Sequence, residues 1–171
     1  MQDKHIIQKL INDNQSSVIA EIGVMKGNTA LFLLEHCPSI ETYYAVDAWV
    51  WTPEYAGSKE FADSTRKMDD SDWERWYQDL RAVEDDRLIL VRDWSIKAAK
   101  HFEDKSLDLV FLDAQHTYLE FKQDLEAWTS KVRDGGILCG HDYFVNDVYY
   151  LVNKVFKQHY VQGRTIWWVR R

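Results

Sequence analysis

Short apolar runs alternate along the chain with segments in which apolar residues recur every three or four positions. The runs have the length of buried strands, whereas the spaced pattern is typical of amphipathic helices. This alternation predicts an α/β fold of three layers, in which helices cover both faces of a mostly parallel sheet. The predicted strands are Val18–Ile22, Thr42–Val46, Leu88–Val91, Leu107–Leu112, Gly136–Cys139 and Thr165–Val169.

The predicted helices lie between these strands, after an amphipathic helix that opens the chain. Asn28 is predicted to cap the helix that Pro38 ends, and Ser95 to cap the helix after the third strand. The last strand is expected to be an antiparallel edge, where either Trp167 or Trp168 could form an oligomer contact because the two face opposite sides. The helices span 3–13, 29–36, 72–81, 96–102, 118–131 and 147–159.

The irregular region is 48–82, which is rich in aromatic and acidic residues and too long for an ordinary connection. Its end, 72–81, is predicted to be a helix, which leaves 48–71 as a loop over the sheet edge. Two interpretations stay open: the loop is a lid or substrate wall, or its aromatic rings cover a hydrophobic flank. The rings are Trp49, Trp51, Tyr55, Phe61, Trp73, Trp76 and Tyr77.

Composition narrows the class of protein. A chain of 171 residues with 46% hydrophobic content suits one domain, 1–171. The net charge of −7 argues against a nucleic-acid interface, and the chain has neither a long apolar run nor a leader pattern. We therefore expect a soluble cytoplasmic protein without nucleic-acid or membrane partners. Cys37 and Cys139 lie in apolar segments, so they are expected to be reduced packing residues.

Two apolar runs each end in a carboxylate flanked by a histidine. The first run ends at Asp113 with His116 after it, and the second ends at His141-Asp142. With a helix between them they predict a βαβ unit, whose parallel strands lie about 4.8 Å apart when adjacent. Two carboxylates that close need a cation or a proton between them. Asp113 and Asp142 are therefore candidate metal ligands, and His116 is the candidate general base.

A glycine-bearing turn follows the first strand. Gly23 and Gly27 give a G-x-x-x-G spacing, which lacks the middle glycine that a dinucleotide requires. Glu21, at the end of the apolar strand, is expected to receive hydrogen bonds from a ligand or the backbone, because an unpaired buried carboxylate is costly. Asp47 ends the next strand, where an acid can accept both hydroxyls of a ribose.

These motifs together resemble class I S-adenosylmethionine-dependent methyltransferases over nearly the whole chain. Within that class, the chain most resembles the small macrocin-type sugar O-methyltransferases and the cephalosporin-biosynthesis methyltransferases, many of which use magnesium. The motifs that carry it are Glu21-x-Gly23-x-x-x-Gly27-Asn28-Thr29, Asp47, Asp93-Trp94-Ser95, 107–118 and 134–143.

The resemblance implies a Rossmann-like methyltransferase fold and S-adenosylmethionine as the cofactor. The turn after the first strand would hold the methionine part, Asp47 the ribose, and the segment after the third strand would border the adenine. The implied cofactor-binding residues are Glu21, Ile22, Gly23, Gly27, Asn28, Thr29, Asp47, Ala48, Asp93, Trp94, Ser95 and Asp113.

The chain departs from magnesium-using relatives at two positions. It has His141-Asp142 where several of them have two acids, and Gln115-His116 where some have a second acid. Magnesium seldom binds imidazole, so a ligating His141 would favour manganese or iron; otherwise His141 only orients Asp142.

The expected function is methyl transfer to the oxygen of a small hydroxylated acceptor, a sugar or a phenol. Asp113, His141 and Asp142 are the candidate metal ligands, and His116 and Asp113 are the candidate catalytic residues. Two rival hypotheses remain. A metal-dependent hydrolase could use the same four side chains to activate water, and a binding module could keep the cofactor pocket without turnover.

Overall fold

The computed structural model describes residues 3–50 and 69–171. The predicted alternation of strands and helices is confirmed throughout this part. The elements, in chain order, are α1 (Asp3–Asn14), β1 (Val18–Ile22), α2 (Asn28–His36), β2 (Thr42–Asp47), α3 (Asp70–Arg81), β3 (Leu88–Arg92), α4 (Ser95–Ala98), β4 (Leu107–Leu112), α5 (Tyr118–Trp128), β5 (Val132–Gly140), α6 (Asn146–Val155), β6 (Tyr160–Gln162) and β7 (Ile166–Arg170). Short 3₁₀ turns, Ala99–His101 and Thr129–Lys131, extend α4 and α5.

The strands form one sheet of order β3-β2-β1-β4-β5-β7-β6. The first five strands are parallel, and β7 is antiparallel to both of its neighbours. The strand order reverses between β1 and β4, where the chain crosses from one half of the sheet to the other. Ligands of open α/β sheets bind at the carboxyl ends of the strands beside such a reversal.

Two hydrophobic cores cover the two faces of the sheet. Successive strand residues alternate between them, as Ile19 and Ala20 of β1 do. Helices α1, α2 and α3 pack on one face, and α4, α5 and α6 pack on the other. Helix α1, for example, buries Ile6, Ile7, Leu10 and Ile11 along one stripe. The predicted three layers follow from this alternation.

Two predicted helix caps are wrong. Gly27, with φ +76°, is the N-cap of α2, and Asn28 is already the first helical residue. Trp94 is the N-cap of α4, so Ser95 lies inside the helix. The hydroxyl of Ser95 donates instead to Asp124 on α5, and a tertiary contact has taken the place of a local cap.

The predicted helix of the irregular region is confirmed as α3, which begins at a capping box formed by Asp69 and Asp72. Trp49, Trp73 and Trp76 are buried in the core that covers one face of the sheet. For these rings the interpretation as a hydrophobic cover is confirmed. Trp51, Tyr55 and Phe61 lie outside the described residues.

The chain ends in a hairpin of β6 and β7. The predicted antiparallel strand is confirmed, and the short strand β6 pairs with its outer side. Trp167 is fully buried, while Trp168 stacks on Tyr160 with ring centroids 4.3 Å apart. Trp167 is therefore a core residue rather than an oligomer contact. Among the described helices, none has both the length and the apolar composition that crossing a bilayer requires.

Candidate functional site

Sheet register brings the ends of four parallel strands to one rim. Ile22 of β1 pairs with Val46 of β2 and with Leu112 of β4. Leu112 in turn pairs with Gly140 of β5. The residues that follow these strands therefore start at the same level, as the sequence predicts.

A cluster of two carboxylates and two histidines lies after β4 and β5; we call it the rim cluster, and it comprises Asp113, His116, His141 and Asp142. His141 Nδ1 lies 3.1 Å from Asp142 Oδ1 and 3.6 Å from Asp113 Oδ1. His116 Nε2 lies 3.0 Å from Asp142 Oδ2 and 3.9 Å from Asp113 Oδ1. The predicted proximity of Asp113 and Asp142 is confirmed.

The charges of the rim cluster shift one another. Burial disfavours the imidazolium of His141, but the hydrogen bond to Asp142 and the charge of Asp113 outweigh it and raise its pKa to about 9. Burial also disfavours an ionised Asp142, yet His116 and His141 hold its pKa well below the ordinary value. Burial raises the pKa of Asp113 to about 6, against the attraction of both histidines. The cluster thus concentrates negative charge that the histidines only partly balance.

Asp3 on α1 completes this arrangement, and sequence reasoning missed it. Its Oδ2 lies 3.1 Å from His141 Nε2, and its Oδ1 accepts a hydrogen bond from Thr165 Oγ1 at 2.5 Å. With Nε2 turned to Asp3, the other ring nitrogen of His141 faces Asp113 and Asp142. A carboxylate behind a histidine in this way fixes the ring and raises its basicity as a metal ligand.

The donor set fits a divalent metal ion. Asp113, His141 and Asp142 each offer a ligand atom, and these atoms all lie within 4.8 Å of one another. In addition, the buried Nε2 of His116 has no well-aligned hydrogen bond within the described part of the chain. Two carboxylates with one or two imidazoles suit a first-row transition metal better than magnesium.

The glycine turn after β1 packs directly against the rim. A Cβ on Gly23, which has φ +89°, would lie 2.3 Å from the carbonyl oxygen of Asp113. A Cβ on Gly27 would lie 2.3 Å from Leu80 Cδ2 on α3. Close packing against backbone therefore requires glycine at position 23, whatever ligand the turn binds, whereas at Gly27 the left-handed φ of +76° favours glycine and the Leu80 methyl group could shift.

Glu21 is buried below the turn, with 2% of its surface exposed. Its Oε2 accepts a hydrogen bond from the hydroxyl of Tyr43 at 2.9 Å. The expectation that a ligand or the backbone supplies its hydrogen bond is wrong for this contact, because a neighbouring strand provides the donor. Burial raises the pKa of Glu21 well above its ordinary value, and the charges of Asp113 and Asp47 raise it further.

Asp47 holds the turn in place through its carboxylate. Oδ2 accepts from the amides of Val24 and Met25, each at 2.9 Å, and Oδ1 accepts from the amide of Trp49 at 2.7 Å. A carboxylate offers roughly four acceptor positions. A ribose that used both of its hydroxyls on Asp47 would therefore displace at least one of these amides. The Trp49 indole closes the same region by donating to the carbonyl of Met25 at 2.9 Å.

The other predicted cofactor residues lie along the same rim. Ile22 and Ala48 are buried next to Gly23 and Asp47, whereas Asn28 is exposed and Thr29 partly so in the first turn of α2. The amide of Asp93 donates to the carbonyl of Asp47 at 3.1 Å, which joins the segment after β3 to the end of β2.

Beside that segment lies a buried polar chain that the sequence did not reveal. Trp128 Nε1 donates to Ser95 Oγ at 2.9 Å, and Ser95 Oγ donates to Asp124. Asp124 is only 4% exposed, and burial raises its pKa to about 7. Asp124 lies between the apolar residues Phe121 and Trp128, which face the core from the same helix. This spacing is the one sequence signal that could have indicated that Asp124 is buried.

Acidic groups along one rim fit a cationic ligand such as a sulfonium. Burial is the main cause of the raised pKa of Glu21, and repulsion by Asp113 and Asp47 raises it further. A bound cation would relieve that repulsion. The residues present therefore fit the cofactor that the resemblance implies.

Comparison with known proteins agrees with this fit. A protein-family model described as a methyltransferase domain matches residues 20–143. No curated protein sequence matches the chain.

Among solved structures, the chain is similar to the O-methyltransferase NovP, with 16% identity, a TM-score of 0.68, and coverage of 98% of this chain and 78% of NovP. It is similar to a methyltransferase from Geobacter sulfurreducens, with 12% identity, a TM-score of 0.63, and coverage of 100% and 78%. It is also similar to a spermidine synthase in complex with the transition-state analogue AdoDATO, with 14% identity, a TM-score of 0.61, and coverage of 98% and 61%. At these identities the likeness establishes the fold alone.

Proposed function

Because this chain belongs to the methyltransferase-domain family and is an S-adenosylmethionine-dependent methyltransferase, we propose that it methylates a hydroxyl oxygen of a small acceptor. The observation that carries the proposal is the rim cluster, which places a histidine beside two carboxylates at the carboxyl ends of β4 and β5. Similarity to a chain named an O-methyltransferase supports the same conclusion.

Transfer to oxygen requires alignment of the acceptor and removal of its proton. S-adenosylmethionine, when bound, supplies a methyl group on a positively charged sulfur. Its chemistry would be to give that methyl group to the acceptor oxygen and to keep the electron pair of the broken carbon–sulfur bond on sulfur. The hydroxyl proton passes to the imidazole of His116, on the ring nitrogen that does not face Asp142. Asp142 Oδ2, 3.0 Å from Nε2, stabilises the imidazolium that forms.

The acidic rim supplies the cofactor contacts in this proposal. Asp47 and Asp113 attract the cationic end, Glu21 lies buried below the turn that the cofactor approaches, and Asp93 and Trp94 border the adenine. Trp94 is 42% exposed and so presents surface to the rim.

A divalent metal would be held by Asp113, His141 and Asp142. Its chemistry would be to bind the acceptor oxygen and make the hydroxyl more acidic. The imidazole of His141 favours manganese or iron over magnesium, and Asp3 orients that imidazole through its 3.1 Å contact with Nε2.

The test is a transfer assay with isotopically labelled S-adenosylmethionine and a panel of phenols and sugars, with and without Mn²⁺ or Mg²⁺, read by mass spectrometry. We expect His116→Gln to lower kcat by about 10²–10⁴ and to remove the pH dependence that a histidine base imposes. Asp113→Asn should lower transfer comparably. Asp134→Asn is the matched control, because Asp134 is 83% exposed and outside the rim.

Three results would contradict parts of the proposal. Failure of the wild-type chain to bind either S-adenosylmethionine or S-adenosylhomocysteine would reject the cofactor. Binding without transfer to any acceptor would favour the binding module, and tight metal binding without cofactor binding would favour the hydrolase.

A further inference from the structure

A cavity of about 450 Å³, in the size range of small-molecule pockets, is lined by the segment that directly follows Asp142 and by the hairpin at the end of the chain. Nothing in the proposed transfer assigns it a role. One wall comes from the connection between β5 and α6, and the other from the hairpin of β6 and β7. Its lining residues are Tyr143, Phe144, Asn146, Tyr149, Val161 and Arg164.

Both walls are continuous with the rim cluster. Tyr143 and Phe144 directly follow Asp142, and Arg164 directly precedes Thr165. The amide of Tyr143 donates to the carbonyl of Thr165 at 3.0 Å. The Thr165 hydroxyl donates to Asp3, the residue behind His141. The cavity wall therefore begins one residue after the metal-ligand candidate Asp142, and an acceptor bound there would have to extend past Asp142 to reach His116.

The walls present mostly aromatic and aliphatic surface, and Asn146 and Arg164 are their two fully polar side chains. Phe144 is 64% exposed and Tyr149 is 53% exposed, so both rings present apolar surface that a ligand can cover. The ring of Tyr143 lies 5.3 Å from that of Tyr149, and its hydroxyl is held by His159 Nε2 and Asn153 Nδ2, each at 2.9 Å. The Tyr143 ring is thus a fixed wall whose polar end is already paired.

Arg164 is the one cationic side chain among the residues that line this cavity. Arg164 is exposed, and within residues 3–50 and 69–171 its guanidinium forms neither an ion pair nor a hydrogen bond. Arg164 also has φ +70°, a left-handed conformation that a bulky side chain seldom adopts. A planar guanidinium is suited to binding a carboxylate through two parallel hydrogen bonds.

We propose that this cavity is the acceptor pocket and that it takes a phenolic acid: a flat hydroxylated ring between Phe144 and Tyr149 with its carboxylate on Arg164. The inference rests on the proposed methyl transfer. A sugar is disfavoured because it carries more hydroxyls than Asn146 and Arg164 can pair, and a hydroxyl that meets aromatic carbon without a partner costs free energy. Among the two acceptor types that the sequence left open, the pocket selects the phenol.

The experiment is calorimetric titration of the full chain with 3,4-dihydroxybenzoate, catechol and methyl glucoside, with S-adenosylhomocysteine present. We expect 3,4-dihydroxybenzoate to bind at least about fivefold more tightly than catechol, since a charge-assisted hydrogen bond is stronger than a neutral one. Methyl glucoside should bind more weakly than either.

Arg164→Asn is the central variant, because asparagine tolerates the left-handed conformation. It should remove the advantage of 3,4-dihydroxybenzoate and leave catechol binding unchanged. Lys157→Asn is the matched control: it removes one positive charge from the exposed segment before β6, outside the cavity lining, and should change neither affinity. Tyr149→Ala should weaken both aromatic probes by the same factor.

The acceptor pocket is overturned if 3,4-dihydroxybenzoate binds equally well to Arg164→Asn and wild type, or if Lys157→Asn weakens it as much. It is also overturned if the wild-type chain binds none of the probes and sedimentation shows a dimer that Tyr149→Ala dissociates. In each case S-adenosylhomocysteine binding can persist, and the proposed function then stands without this pocket. The proposed function would instead be rejected if the chain binds 3,4-dihydroxybenzoate through Arg164 but does not bind S-adenosylhomocysteine.

Discussion

Replacing Asp124 by asparagine should stabilise the protein at alkaline pH. The carboxyl is 4% exposed and accepts a hydrogen bond from Ser95, which an amide oxygen can accept equally well. The substitution thus keeps the contact and removes a group that is costly to ionise. Because burial raises the pKa of Asp124 to about 7, the folded state holds its proton more tightly than the unfolded state does.

The sign and size of the effect follow from this difference. The pKa of this carboxyl is raised from 3.8 to about 7, so its contribution to the free energy of unfolding falls as the pH rises between those values. Above both values the loss is about 4 kcal/mol, and roughly 1.5 kcal/mol of it is already present near pH 5. We call the free energy of unfolding of Asp124→Asn minus that of the wild type the stability gap. This gap should therefore increase by about 2–3 kcal/mol between about pH 5 and about pH 8.5.

Urea denaturation of both proteins at the two pH values measures this gap. Glu126→Gln is the matched control, because it neutralises a side chain on the same helix that is 63% exposed, and its gap should stay constant. A gap for Asp124→Asn that stays constant or narrows would refute the account of Asp124 as a buried, desolvated acid.

Three further experiments, which use four substitutions, test the contacts around the rim by the same denaturation assay. Gly23→Ala should destabilise the fold by at least about 2 kcal/mol, because its Cβ meets the Asp113 carbonyl at φ +89°; a neutral change would show that the turn has room. Gly27→Ala should be partly rescued by Leu80→Ala, since Leu80 Cδ2 occupies the Cβ position, and additive losses would contradict that contact. Tyr43→Phe removes the hydroxyl that donates to buried Glu21 and should cost about 1–3 kcal/mol; no loss would mean that the bond is dispensable.

The sheet and its rim were predictable because their signals are local or follow from parallel register. Apolar runs gave the strands, and the βαβ unit placed Asp113 beside Asp142 once β4 and β5 were adjacent. The acidic residues at strand ends followed from the same reasoning.

The remaining contacts were not predictable because they join residues far apart in the chain. Asp3 lies 138 positions from the histidine that it orients, and no local pattern links them. Ser95 looked like a helix cap, but its hydroxyl found a buried carboxylate on another helix. Asp47 looked like a ribose ligand, and its carboxylate also fixes the turn through three amides.

The most direct test of the central claim is calorimetric titration of the intact chain with S-adenosylmethionine, alongside Asp47→Asn and Asp113→Asn, at a pH well above the pKa of Asp113, which is about 6. We predict one binding site in the wild type and weaker binding in both variants, because each substitution removes a negative charge from the rim that faces the cation. Absence of binding to the wild-type chain, or equal affinity in all three proteins, would contradict the claim that this rim holds the methyl donor.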